Sequence, residues 1–351
     1  MRFVTFPSNT LLILLCLFIN LGCSTSFNHK RVEKGIEPEI QIFDEQALRL
    51  IEPKANIVTI SDGHTWTEGP VWISDGGYLL FSDIPNNVIK KFEPNIGTTT
   101  YLSEAGATGL FKGDYSAGSN GLLLNPKGEL VLFQQGDRRV AVMKSSLDHP
   151  LSNFETLASK YQNNRLNSPN DGVFSSNGDL YFTDPPYGLD NVMEDAHKEL
   201  LFQGVYLLKA DGSLILLDDS LSFPNGVALS KDEKSLIVSV SDAKKAQWIA
   251  YHVKRDGTLE DKRVFYDATD LVGKKREQGL PDGLAVHSSG VIFATGPGGV
   301  NIFSQEGKLL AKIRTGKITS NCSLTSDEQT LYCTAIDTVL SIPLLSEFNK
   351  H

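Results

Sequence analysis

The sequence predicts an all-β protein, a six-bladed β-propeller, from three observations. A short strand motif recurs six times, an oxygen-bearing residue stands in the same place before each copy, and no long amphipathic helix with capping residues interrupts the series. The copies are 75–83 (DGGYLLFSD), 126–133 (PKGELVLF), 177–184 (NGDLYFTD), 232–238 (DEKSLIV), 289–294 (SGVIFA) and 327–333 (DEQTLYC). Each has a polar turn, an apolar run and then small or polar residues. They return roughly every 40 to 55 residues, the period of four-stranded propeller blades. Six open sheets would leave unpaired edges, and closing them into a ring removes that liability.

Taken in order, the chain begins with Arg2 and an apolar run from Leu11 to Ile19, then Asn20, Leu21, Gly22, Cys23 and Ser24. A basic start, a short apolar stretch and small residues at its end describe an export signal over 1–22. The run is short for a membrane-spanning helix. Leu21-Gly22-Cys23 resembles a bacterial lipobox, which would make Cys23 the first mature residue and a lipid anchor. Plain secretion and an uncleaved anchor are the alternatives. Periplasmic lipid anchoring follows, and Ser24, which is not acidic, favours the outer membrane. Residues 23–53 are polar, with a weak helical stretch from Glu45 to Ile51, and read as a tether. The propeller is expected over 54–345, with a tail at 346–351.

Of the four cysteines, Cys322 and Cys333 remain after the signal and the lipid site. They flank an expected hairpin, and export permits a disulfide there, although both equally suit small buried positions. Apolar residues make up 40% of the 351 and charged residues 21%, enough to build a core. The net charge of −9, with basic residues scattered, excludes a nucleic-acid partner. A single propeller of this size is stable as a monomer.

About ten residues before each repeated strand stands a second motif: Glu68-Gly69, Asn120-Gly121, Asn170-Asp171-Gly172, Asn225-Gly226, Asp282-Gly283 and Asn321-Cys322. Any one Asn-Gly or Asp-Gly pair reads as a turn. Six in one register place six oxygen-bearing side chains around one axis. Carboxylate and amide oxygens without His or Cys suit a hard divalent cation. Calcium is expected first, with magnesium, manganese or zinc as alternatives. Glu68 and Asp282 would balance its charge, and Asn170 and Asn225 would add neutral oxygens.

These and other stretches resemble the gluconolactonase branch of the senescence-marker-protein-30/gluconolactonase family. The matching stretches are 67–72 (TEGPVW), 119–122 (SNGL), 136–140 (GDRRV), 167–172 (NSPNDG), 181–188 (YFTDPPYG), 223–226 (FPNG), 281–283 (PDG) and 294–300 (ATGPGGV). The resemblance implies a six-bladed propeller with a central metal site formed by Glu68, Asn170, Asn225 and Asp282, and a lactone as substrate. It also implies that Asn120 and Asp171 face the substrate or support the ligands. Many members carry His where this chain has Gln135, which points to a different substrate preference.

A cation can polarise a lactone carbonyl while a carboxylate takes a proton from water. Asp282 is the expected base and Asp171 the second candidate. Arg138 or Arg139 would meet sugar hydroxyls or remain a blade ion pair. His64 and Asp184 read as structural, Trp72 and Phe182 as core, and Tyr187 as a pocket residue on the family pattern alone. No Gly-x-Ser-x-Gly elbow is present, which disfavours a serine hydrolase. The rival readings are hydrolysis of other lactones, aryl esters or phosphotriesters, and non-catalytic sugar binding.

Overall fold

Strands here carry apolar residues at consecutive positions rather than at alternate ones, so both faces of each sheet must be covered. A computed structural model, which describes residues 37–110 and 117–346, shows how. Six antiparallel sheets follow one another as blades. Blade 1 is Thr67–Ile73, Tyr78–Asp83, Val88–Glu93 and Gly97–Ser103. Blade 2 is Ser119–Leu124, Leu130–Gln134, Arg139–Met143 and Phe154–Ala158. Blade 3 is Gly172–Phe174, Leu180–Asp184, Gly204–Leu208 and Leu214–Asp218, and blade 4 is Pro224–Leu229, Ser235–Val240, Gln247–Val253 and Leu259–Asp267. Blade 5 runs Leu284–Val286, Ile292–Gly296, Gly299–Phe303 and Leu309–Arg314. Blade 6 takes Asn321–Leu324, Thr330–Ala335 and Thr338–Pro343 from the C-terminal end. Each recurring sequence motif supplies the second strand of its blade.

The ring closes between distant parts of the chain. Val58–Ser61 pairs with Thr338–Pro343 as the fourth strand of blade 6, Val58 opposite Ser341. Thr67 donates from its Oγ1 to the Thr338 carbonyl at 3.0 Å, adding a second tie across the same seam. The segment expected as a tether reaches 53, yet Glu39–Ile42 within it pairs with Leu309–Arg314 as a fifth strand on blade 5. Its buried Ile51 and half-buried Ile40 and Ile42 pack against blade 5 and 6 residues, apolar surface that a free tether would leave in water. The weak helical stretch is a short 3₁₀ turn, Glu45–Arg49, capped by Asp44. The export signal, Cys23 and most of the tail lie outside the described residues. No helix among the described residues is long and apolar enough to cross a membrane.

Alternation of side chains along each strand sends neighbours to opposite blade interfaces. Leu80 packs with Leu122, Leu130 and Leu132 between blades 1 and 2, while Leu79 and Phe81 face Tyr332 and Val339 of blade 6. Val131 and Phe133 meet Leu180 and Phe182, and Tyr181 meets Val227 and Val238 of blade 4. Ile237 meets Ile292 of blade 5, and Phe293 meets Leu331 of blade 6. The core is therefore a set of wedges between blades, with Trp72 stacked on Tyr332 at the closing seam. Each fully buried large side chain contributes about 1.5–3 kcal/mol.

Cys322 and Cys333 sit directly opposite each other on neighbouring strands, and both are buried free thiols. The disulfide that the sequence left open is not formed. Burial pushes the Cys322 thiol well above its usual range, which keeps it protonated.

Candidate active site

The first strand of each blade lines the centre, and its ladder is broken where the acidic or amide residue stands. Pairing slips between Glu68 and Val71, between Ser119 and Leu122, and between Pro224 and Val227. Such bulges add a residue on one strand and re-aim its side chain. They turn Glu68, Asn120 and Asn225 toward the axis. In blades 3 and 5 the same work falls to Asn170, Asp171 and Asp282, which lie just before the strand begins.

The glycines after these residues answer to the neighbouring blade rather than to a turn. A Cβ on Gly226 would lie 2.2 Å from the Asp282 carbonyl oxygen, and one on Gly69 would lie 2.2 Å from that of Asn120. Close approach lets backbone groups join blade to blade around the channel. Gly121 N–H donates to the Asn170 carbonyl at 2.8 Å, and Gly283 N–H to the Ser320 carbonyl at 2.8 Å. Hydroxyls near the ends of the second strands join other junctions: Ser82 to the Asn120 carbonyl at 2.8 Å and Thr183 to that of Asn225 at 2.7 Å. Ser241 reaches the Pro281 carbonyl, and Ser320 reaches that of Thr67 at 2.8 Å.

On this frame the side chains converge. Asn120 Nδ2 donates to Asn170 Oδ1 at 2.5 Å, Asn170 Nδ2 donates to Asn225 Oδ1, and Asn225 Nδ2 donates to Ser241 at 3.0 Å. Asp171 accepts from Gly172 N–H at 2.9 Å and from Asn321 Nδ2 at 3.3 Å. Glu68 accepts from Gly69 N–H at 3.0 Å and lies close to the Trp66 side chain. Two buried oxygens in this circle, Asn120 Oδ1 and Asp282 Oδ1, have no hydrogen-bond partner among the described residues.

Burial, and then mutual repulsion, raises the carboxyl groups. Glu68 is pushed up to about 8, first by burial and further by Asp171. Asp171 is pushed up to about 7 by burial. Asp282 rises well above the usual carboxylate range through burial and the charges of Glu68 and Asp171. None of the three forms an ion pair with a Lys, Arg or His among the described residues, and burial is the largest cause of each shift. The circle thus has three acidic groups, several amide oxygens and no cation of its own, a donor set that fits a hard divalent ion. Glu68, Asn170, Asn225 and Asp282 are the oxygen-bearing residues of the circle that could hold it. No set of three or more His, Cys, Asp or Glu among the described residues forms a metal cluster.

Arg138 departs from the expectation that it meets substrate. It is fully buried, and its Nε donates to the Leu166 and Asn167 carbonyls, both at 2.9 Å, while Nη1 donates to that of His197. It braces the segment leading to Asn170. Arg139 is tied to Gln134 at 2.6 Å and to Asp137 at 3.1 Å. Asp184 accepts from the Asn167 N–H at 2.7 Å and holds the same segment. His64 bonds Ser61 at 2.7 Å and lies edge-on to Phe81.

Three groups at the site escaped the sequence reading or entered it only by analogy. Ser241 links Asn225 to blade 5, and Trp66 touches Glu68. Tyr187, with its ring stacked on Phe223 at 5.7 Å, lies beside Ser241 and Asn225. Gln135 also belongs here, 3.5 Å from Asn170 Oδ1. Two surface depressions, of about 470 and 220 Å³, lie elsewhere and are lined by no residue of the circle.

Fold and site together define a six-bladed propeller with a mixed carboxylate and amide circle where the first strands of the blades begin. Residues 66–337 match the model of the SMP-30/gluconolactonase/LRE-like family. The chain belongs to that family. It is 35% identical over 308 residues to a gluconolactonase from Zymomonas mobilis, covering 87% of this chain and 85% of that protein. A solved gluconolactonase from Xanthomonas campestris superposes with a TM-score of 0.73 at 28% identity, over 90% of this chain and all of that one. Regucalcin from Agrobacterium tumefaciens, described as a calcium-binding protein, shares the fold with a TM-score of 0.64 at 15% identity, over 83% of this chain and 95% of that one.

Proposed function

We propose that this protein opens a small sugar lactone by hydrolysis, with one divalent cation, calcium first among the candidates, held by Glu68, Asn170, Asn225 and Asp282. The observation that carries the proposal is the set of three burial-raised carboxyl groups, Glu68, Asp171 and Asp282, within electrostatic reach of one another and in no ion pair among the described residues. Bound among them, a divalent ion supplies positive charge against the negative charge that builds on the lactone carbonyl oxygen.

The chain's own groups do the rest. Asp282 keeps one carboxylate oxygen free of hydrogen bonds among the described residues. It accepts the proton from the attacking water as the new C–O bond forms. The ring C–O bond of the lactone then breaks, and Asp282 returns the proton to the departing alkoxide, leaving a hydroxy acid. Asp171 has both oxygens occupied by Gly172 and Asn321, which suits it to hold the circle in shape rather than to move protons. Asn120 offers a free amide oxygen to a substrate hydroxyl.

A substrate panel tests this reading. Calcium-loaded protein should hydrolyse glucono-1,5-lactone at least about 100-fold faster than 4-nitrophenyl acetate or a phosphotriester, measured as kcat/KM. Equal or reversed preference would transfer the site to ester or phosphotriester chemistry. We further propose export with a lipid on Cys23. Palmitate incorporation lost in Cys23→Ala supports it, and incorporation that persists contradicts it.

A further inference from the structure

Tyr187 lies at the only point where a large aromatic ring is both part of the ring of site contacts and markedly open to solvent among the described residues. It is 36% exposed and lies beside Ser241 and Asn225, within electrostatic reach of Asp282 and Glu68. One face of the ring is covered by Phe223, nearly parallel at 17°. Phe223 itself stands at φ 50, a left-handed conformation that a bulky residue rarely adopts. The strain is held from both sides: Phe223 N–H donates to Gln203 Oε1 at 3.0 Å, and its carbonyl accepts from Ser241 N–H at 3.0 Å. Strain fixed in this way concentrates at ligand-holding positions. Its result here is a stacked aromatic pair, with Phe223 held two residues before Asn225 and Tyr187 partly open to solvent beside the circle.

We propose that Tyr187, backed by Phe223, is a specificity-determining platform on which the ring of the substrate lies flat. This rests on the lactone-hydrolase reading above and narrows it. A pyranoid lactone carries a face of C–H groups and a rim of hydroxyls. The C–H face matches an aromatic plane, and the rim is left to meet the polar groups of the circle. An open-chain ester has no such face to offer, so the platform selects cyclic substrates through binding rather than through chemistry.

The test separates flatness from volume. Tyr187→Leu keeps an apolar side chain but removes the plane, and Tyr187→Phe keeps the plane. For glucono-1,5-lactone, Tyr187→Leu should raise KM about tenfold, the share carried by burying one ring face on an aromatic, while kcat stays within about threefold. Tyr187→Phe should recover most of that KM, and Phe223→Leu should raise it again. Calorimetry of the non-hydrolysable glucono-1,5-lactam gives a readout independent of turnover, with the same tenfold loss expected in Tyr187→Leu. A wild-type KM and lactam affinity in Tyr187→Leu would overturn the platform and leave the hydrolase reading standing. Lactam binding that depends on Tyr187 in a protein that turns over no lactone would keep the platform and overturn the hydrolase. Loss of KM in Tyr187→Phe equal to that in Tyr187→Leu would assign the effect to the hydroxyl and overturn the platform.

Discussion

Gly226→Ala perturbs the site through geometry alone. The φ of Gly226 is one that alanine accepts, so the substitution introduces no backbone strain of its own. The new Cβ would stand 2.2 Å from the Asp282 carbonyl oxygen and 2.8 Å from Gly283 Cα, both backbone atoms of the next blade. An ordinary contact needs more than about 3.2 Å between such atoms, so blades 4 and 5 must part by about 1 Å at the circle. That separates Asn225 from Asp282 and stretches the link from Ser241 to Pro281. A displacement of about 1 Å at a reacting centre lowers catalysis roughly 100-fold. Calcium affinity measured by calorimetry should fall in parallel, by at least tenfold. Gly128→Ala is the control, at a turn with φ +77 and open space around the Cβ. It should lower stability by about 1 kcal/mol and leave calcium affinity untouched. If Gly226→Ala loses stability like the control but keeps wild-type calcium affinity and turnover, the contact does not set the geometry of the circle.

Other outcomes follow from groups outside the circle. Lys312 is buried and pairs with Glu277 at 2.7 Å, and Arg314 joins the same carboxylate at 2.7 Å. Glu277→Gln leaves Lys312 without its counter-charge and should cost about 3 kcal/mol in urea unfolding at pH 7. Those two cations hold Glu277 below its ordinary value despite burial, so its stabilisation is present above the unfolded pKa near 4.5 and is lost as pH falls below it. The gap between wild type and Glu277→Gln should accordingly close toward pH 3. Asp184 has the opposite sign. Burial raises it from 3.8 to about 7, so the fold favours its protonated form and its contribution is lost as pH rises from about 4 to 7. Asp184→Asn, which keeps an acceptor for the Asn167 N–H, should gain melting temperature relative to wild type across that interval. Cys322 and Cys333 should both react with a thiol reagent in denaturant and stay silent in the native protein, and a native crosslink found by mass spectrometry would contradict the free pair.

The blade count was legible because each second strand repeats a polar turn, an apolar run and a small residue. The circle was legible because all six blades place an oxygen at one position. The reason for the following glycines was not: Gly226 and Gly69 look like turn formers until the neighbouring backbone is seen against them. Asn170 and Asp171 were both visible, but which oxygens of each are free depends on Asn120, Asn321 and Gly172 across three blades. Arg138 misled because a charged side chain next to a family motif suggests a ligand, and only the fold supplies the carbonyls of Leu166, Asn167 and His197 that absorb it. Glu39–Ile42 was hidden in polar sequence, since an outermost strand needs little apolar patterning to pair along an edge. Ser241 and Trp66 carry no local signal, because their importance comes from residues far away in the chain.

The central claim is that these carboxylates act through a divalent ion on a lactone. Proton release from glucono-1,5-lactone by chelator-stripped protein, followed as calcium, magnesium, manganese or zinc is returned, tests it most directly. Hydrolysis above the spontaneous rate should reappear with the ion in wild type and stay absent in Glu68→Gln and Asp282→Asn, both still folded by circular dichroism. Metal-free protein at full rate, or variants that match wild type, would contradict the account.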